Sequence, residues 1–170
     1  SPVTFTYAIE TLDYTNYGLE AEARLRLPLG LTLSGGAGLQ HARMDEPPPG
    51  SNAGAAKNGR VPNVPDYNAF AALDWRQPVE LGRIAGALAG RAEVQLVGNR
   101  AADIANSFDL KAYSIVNLRF GIETQHVDLY GFARNLTDER PELSGANFGT
   151  VQSIVYGRGR IVGAGTTVRF

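Results

Sequence analysis

The chain has 170 residues, 44% hydrophobic and 19% charged, so it can bury a core and is not a disordered acidic chain. Its net charge of −1 lacks the basic footprint of a nucleic-acid binder, and no nucleic acid is expected as a partner. With no cysteine, disulfides and thiolate zinc sites are excluded; no apolar run approaches the ~20 residues of a membrane helix, which leaves a membrane β-barrel open.

Taken in chain order, nearly every segment alternates with period two. Residues 17–27 place Tyr17, Leu19, Ala21, Ala23, Leu25 and Leu27 on one parity and Gly18, Glu20, Glu22, Arg24 and Arg26 on the other. Pro28-Leu29-Gly30 is a turn signal, and Leu31, Leu33 and Leu39 then oppose Thr32, Ser34 and Gln40. These two stretches read as a hairpin. Residues 44–65, with Pro47-Pro48-Pro49-Gly50 inside, read as a long polar loop. Residues 66–76 alternate again, Tyr67, Leu73 and Trp75 against Asn68, Asp74 and Arg76. A short turn is expected at residues 78–82. In residues 84–98, Ala92, Val94 and Leu96 oppose Arg91, Glu93 and Gln95. A second loop covers residues 99–110. Val116, Leu118, Phe120 and Ile122 then oppose Asn117, Arg119, Gly121 and Glu123. A tight turn at residues 124–126 leads into residues 127–136. Parity stays open there, because Tyr130 and Phe132 compete with Val127, Leu129 and Ala133. A third loop runs to about residue 158. The last stretch, 160–170, sets Val162, Ala164, Thr166, Val168 and Phe170 against Gly163, Gly165, Thr167 and Arg169.

This pattern predicts about seven antiparallel strands whose connections alternate short and long, the arrangement of short periplasmic turns and long outer loops. The strands exceed the globular mode of 5–6 residues and match the roughly 9–11 needed to cross a membrane. One parity repeats charges, which suits a wet lumen. The other carries none at mid-strand, as lipid demands, since Arg or Lys at the midplane costs roughly 2–4 kcal/mol. Tyr67 and Trp75 fall at opposite ends of one apolar stripe, where aromatic girdles belong. The expected fold is therefore all-β: an antiparallel transmembrane β-barrel segment that by itself forms an open curved sheet. Alternation alone does not say which face is buried, so a soluble β-sandwich binding module is the competing architecture. A small self-contained barrel serving as anchor or adhesin is another. The chain opens on Ser1-Pro2-Val3 with neither Met nor a leader, and residues 1–170 are expected to be the C-terminal portion of something longer.

Several stretches also resemble one family. Asn16-Tyr17-Gly18-Leu19-Glu20 is similar to the Gly-aliphatic-Glu opening of a long strand in TonB-dependent outer-membrane receptors. Arg60-Val61-Pro62-Asn63-Val64-Pro65 resembles their Arg-aliphatic-Pro-x-x-Pro segment before a descending strand. Asn135-Leu136-Thr137-Asp138 looks like their Asn-Leu-x-Asp element at the penultimate strand, and Gly157-Arg158-Gly159-Arg160 like the lead-in to the last one. The terminal assembly signal is matched at Gly165, Val168 and Phe170, while Gly163 stands at its polar position and Gly159 where Pro is usual. The resemblance implies the C-terminal part of a barrel of roughly 22 strands, with the plug domain and the first strands outside this chain. It further implies a bacterial outer-membrane location and energy-coupled uptake of a small nutrient such as a siderophore. The implied partners are the lipid bilayer, lipopolysaccharide, the outer-membrane assembly machinery and, through the N-terminal part, the TonB energy-coupling complex.

Loops carry function on a rigid scaffold, so loops 45–65, 99–110 and 138–158 are the expected binding mouth, with Tyr113, Phe148, Tyr156 and Arg158 as candidate ligand contacts. Arg158 and Arg160 are expected to meet lumen carboxylates or, as the alternative, an anionic ligand or a lipopolysaccharide phosphate. His41, near Asp45 and Glu46, is expected to be an ordinary strand-end residue, with membership of a metal or ligand site at the barrel mouth as the alternative. Asn135 is expected to cap a turn rather than act as a glycosylation acceptor. Gly163 and Gly165 are read as bends or as close packing against a plug. No triad, paired carboxylate set or metal-ligand spacing stands out, so no catalytic residue, metal or cofactor is expected and the chain is not read as an enzyme.

Overall fold

A computed structural model describes residues 11–46, 54–82 and 84–170. The Pro47–Gly50 run and the chain start lie outside the described residues. Four long strands come first or nearly so: β1 (Tyr14–Leu27), β2 (Leu31–Met44), β3 (Tyr67–Leu81) and β4 (Ile84–Val97). Then follow β5 (Arg100–Ala101), β6 (Asp109–Leu110), β7 (Tyr113–Thr124), β8 (Val127–Arg134), β9 (Glu142–Asn147), β10 (Gln152–Tyr156) and β11 (Ile161–Val168). Seven of them form one antiparallel sheet in the order β1-β2-β3-β4-β7-β8-β11. β5 pairs only with β6 and β9 only with β10, as ribbons inside the second and third long loops. Those loops read as structureless because strands this short carry no period.

The seven expected strands are present, and the short connections all lie at one end of the sheet. Pro28–Leu31 closes the first with Leu29 at φ 61° and Gly30 at φ 73°, the pair of left-handed residues that a type I′ hairpin turn requires. The second differs from expectation: β3 and β4 run on through Pro78 and stay paired as far as Leu81 and Ile84. Proline is tolerated there because of direction. The N–H of Arg76 donates to the Gly30 carbonyl on the β2 side, and Pro78 turns its nitrogen to that same side, where β2 has already ended.

The pairing register carries one parity across the whole sheet. Leu25, Leu33, Leu73, Ala92, Leu118 and Ala133 occupy successive strands of the uncharged face. The open parity of β8 is settled by its partners. Tyr130 lies opposite Gly121 and Gly165, and Phe132 opposite Arg119 and Gly163, so both rings belong to the charged face. The glycines there make room for these rings: a Cβ at Gly165 would stand 2.6 Å from the Tyr130 ring, and one at Gly163 would stand 2.7 Å from that of Phe132. On the other face Trp75 and Phe120 stack at 6.2 Å across Gly90. Much of the glycine in this chain is thus spent letting a large ring lie flat over a neighbouring strand.

Among the described residues no second sheet faces this one, so the sandwich alternative is not what the chain forms. Every residue of β1 is exposed. Apart from Ala72 in β3 and Ala87 in β4, at 1%, the buried apolar side chains sit at the long-loop end: Ala101 and Leu110 at 0%, Ala102, Ala42 and Met44 at 4%.

Candidate functional site

Two regions concentrate polar chemistry: the rim formed by the long loops, and the charged face of the sheet.

At the rim the second loop is a keystone. Asn106, in a left-handed conformation at φ 51°, accepts from the Arg60 N–H at 2.7 Å and donates to the Arg60 carbonyl at 2.9 Å. The Arg60 guanidinium also pairs with Asp109 and, at 3.6 Å, with Asp66, which Arg43 meets at 3.4 Å. Backbone bonds Ala56 N to Ile104 O and Asn63 N to Ala101 O, both 2.9 Å, complete the join between the first and second loops. The Arg60-to-Pro65 motif therefore has a physical task, which is to fasten one outer loop to the next.

On its other side the second loop grips the third. Arg100 is 4% exposed and donates through Nη2 to the carbonyls of Glu142 and Leu143. Its guanidinium stands 5.4 Å from the Tyr113 ring centre, and its Nη1 has no partner. Glu142, 6% exposed, accepts from the Lys111 backbone N–H at 2.9 Å. Phe108 packs on Gly145 so closely that a Cβ there would fall 2.6 Å from its ring.

The third loop is pinched shut at its base. Asn135, buried at 5% with φ 51°, donates to the carbonyls of Glu139 at 2.8 Å and Arg158 at 3.0 Å, and accepts from the Glu139 N–H at 2.9 Å. Asp138 accepts from the Arg160 N–H at 2.7 Å. That bond first, with the charges of Arg140 and Arg160, holds the Asp138 carboxyl below the usual aspartate range against the opposing effect of burial. The capping role expected for Asn135 is what the structure has.

The four candidate ligand contacts do not converge. Tyr113 opens β7, half-buried beneath Arg100. Tyr156 ends β10 opposite Glu142 and is exposed. These two therefore flank the Arg100–Glu142 contact. Phe148 sits at the tip of the β9–β10 ribbon, 72% exposed, where its N–H donates to the Val151 carbonyl at 2.8 Å. Arg158 is exposed beyond the ribbon and contributes its backbone carbonyl to Asn135. Among the described residues neither Arg158 nor Arg160 pairs with a carboxylate side chain. His41 lies opposite Tyr17 on the uncharged parity, 5.1 Å from its ring, and so faces away from the lumen. Sequence reading missed Arg100, Asn106 and Glu142; the small residues Ala101-Ala102 beside Arg100 are the only sequence sign of a tight fit.

On the charged face, Arg91 binds Asp74 through two bonds of 2.8 and 2.9 Å and Glu93 at 2.8 Å. Arg91 stands directly opposite Arg119, a repulsive placement. The two carboxylates absorb it on one side. On the other, Arg119 lies over the Tyr130 ring at 3.8 Å. Arg91, Glu93, Arg119 and Tyr130, with Asn117, Phe132 and Arg134, line a concavity of about 350 Å³. At the short-turn end Arg169 forms a two-pronged pair with Asp128, tying β11 to β8. At that end too, Gly165 lies under Tyr130, Val168 pairs with Val127 on the uncharged face, and Phe170 is fully exposed. Among the described residues no group of three or more His, Asp or Glu is placed to hold a metal ion.

Residues 1–136 match the family model of the TonB-dependent receptor-like β-barrel. The fold is also that of a solved structure, the ferric yersiniabactin uptake receptor FyuA from Yersinia pestis, at a TM-score of 0.80 and 24% identity. The match covers 94% of this chain and 24% of that one, so the chain spans about a quarter of that receptor.

Proposed function

The chain belongs to the TonB-dependent receptor family, as part of its β-barrel, and from that premise we propose that the protein carrying it is an outer-membrane receptor importing a scarce small nutrient. Proteins of this family reside in the outer membrane. The observation that carries the reading is the continuity of one uncharged and one charged parity across all seven strands. Such a sheet suits a wall with lipid on one side and water on the other. The three long loops, joined into one rim above the charged face, suit a ligand mouth. Tyr113 with Arg100, Tyr156, Arg158 and the Phe148 tip would contribute this chain's share of contacts.

The remaining parts follow from the family. β11 and β1 are the open edges of this sheet. In the whole barrel of roughly 22 strands, each of these edges would pair with a strand outside this sheet. A plug would fill the lumen, and energy would arrive through the TonB complex. The ligand class we favour is a metal chelate of the siderophore type, supported by the likeness to a receptor for ferric yersiniabactin. The test is uptake of radiolabelled iron from a panel of siderophores by cells with and without the gene, in backgrounds with and without TonB. Uptake of one chelate that needs both genes is expected. Equal uptake in all strains across siderophores, haem, vitamin and sugar panels would end the transport reading.

A further inference from the structure

We propose that Arg100 is an anion sensor: a carboxylate of the imported solute takes the unpaired end of its guanidinium and in doing so releases the third loop from the second. The inference rests on the import reading and names its ligand class. Two joins hold the rim together, and they differ in kind. The join of the first loop to the second is complete. Asn106 satisfies both backbone groups of Arg60, and the Arg60 guanidinium has Asp66 and Asp109 as counter-ions. The join of the second loop to the third is not. Arg100 is 4% exposed, yet its Nη2 meets only the carbonyls of Glu142 and Leu143, and among the described residues its Nη1 has no partner. The buried acid of this join does not compensate it. The Glu142 carboxylate accepts from the Lys111 backbone N–H at 2.9 Å and stands 3.8 Å from the Lys111 ammonium.

A buried cation is costly unless it is paired, and a buried donor without an acceptor adds to that cost. What this join lacks is a negative group. Nη1 is closed to solvent while the loops are joined. An anion reaches it only when the β9–β10 ribbon has lifted, so it binds the open rim and not the closed one. Linkage then makes anion binding and ribbon release one equilibrium. The rest of the loop suits that motion. Beside Arg100, the ribbon meets the second loop through the Lys111–Glu142 contacts and the packing of Phe108 on Gly145. Its base is fastened separately, by the Asn135 side chain and by the Gly157 N–H, which donates to the Pro141 carbonyl at 2.7 Å. The ribbon is thus free to tilt while its base stays shut. Tyr113 shares the parity of Asn117 and Arg119, so the ring 5.4 Å from the guanidinium belongs to the charged face. A guanidinium fork matches the two oxygens of a carboxylate, and the ring offers an apolar flank to the body that bears it.

The experiment measures distances between spin labels in the full-length receptor in detergent. One label sits on the second loop at Ala105→Cys and one at the ribbon tip at Val151→Cys, both exposed positions. The probes are benzoate and benzamide, alike in shape and different in charge. Benzoate should raise the share of a longer label distance about tenfold, and benzamide should leave it unchanged. Exchange of the Lys111 amide, which Glu142 holds, should quicken in step. A label pair at Lys57→Cys and Ala105→Cys should not move, because the first join lacks no charge. Arg100→Gln should abolish the benzoate response. Arg100→Lys, which keeps the charge without the fork, should respond less than the unaltered receptor. A flat benzoate response, an equal response to benzamide, or a full response in either Arg100 variant overturns the sensor. The distances are read without transport. A flat response in a receptor that imports its nutrient sinks the sensor alone, and a benzoate response in a receptor that imports nothing sinks the import reading alone.

Discussion

Leu33 lies near the start of β2 and is 44% exposed, whereas Leu110, in the loop between β4 and β7, is wholly buried. In a water-soluble domain the two would change places, because loops run over the surface and strands hide their apolar face. Among the described residues no other element packs on either face of the sheet. Its apolar parity is matched to lipid, where a side chain gains little from neighbours. The long loops make a core of their own, and they carry the buried arginine, the buried glutamate and the keystone asparagine. Two kinds of packing share one chain.

The largest way to break that contrast is in the loops. Leu110→Ala should cost about 4 kcal/mol, within the range for a buried leucine replaced by alanine. Leu33→Ala should cost under about 1 kcal/mol, since leucine in lipid is worth only a fraction of that. Thermal unfolding of the full-length receptor in detergent, with limited proteolysis of the loops, reads both. Equal losses would erase the distinction. Next in size is a charge on the lipid side: Leu118→Arg should cost about 3 kcal/mol at mid-strand, against about 0.5 kcal/mol or less for Gln95→Arg on the opposite parity. Reversal of that order in folding yield into lipid vesicles would exchange the two faces.

Asn135→Ala tests whether the rim is fastened by side chains. It removes three hydrogen bonds at a buried position and should cost about 2 kcal/mol. Hydrogen exchange should quicken over residues 138–160 and remain unchanged in β3 and β4. Uniform quickening would mean that loop and sheet unfold as one. Smaller again is the glycine contrast. Gly165→Ala should cost about 1 kcal/mol because the Tyr130 ring must move, whereas Gly131→Ala should be near neutral because nothing lies within 3.9 Å.

That glycine contrast also marks what the sequence held. Alternation made the strands and their faces legible wherever one parity was charged, as in β7, where Arg119 and Glu123 declare the lumen. It failed in β8, where both parities carry large apolar side chains. The answer there came from partners on other strands: Gly163 and Gly165 leave room on the side where Tyr130 and Phe132 must lie. Pro78 was misread for a related reason. Its tolerance depends on where β2 ends, which is not a local property. The rim was the least legible. Tyr113 and Tyr156 were singled out as aromatics in loops, but Arg100, Asn106 and Glu142 act through contacts more than 30 residues away in sequence, and such contacts leave no period.

The smallest expected effect is a pH dependence at the base of the third loop. Asp138 is held below the ordinary aspartate range, chiefly by the Arg160 N–H. A carboxyl depressed on folding adds stability at all pH above its unfolded value, near 3.9, and surrenders it as pH falls through the lower folded value. The latch between residues 138 and 160 should therefore be unchanged from pH 7 down to about 4 and loosen below that. Protection of the Arg160 amide, corrected for intrinsic exchange and followed from pH 6 to 3, should fall at the acid end in the wild type and stay flat in Asp138→Asn. β3 and β4 should stay flat in both, because their hydrogen bonds do not include this carboxyl. An acid-end loss that survives Asp138→Asn would assign the sensitivity to another group and leave the latch without its electrostatic part.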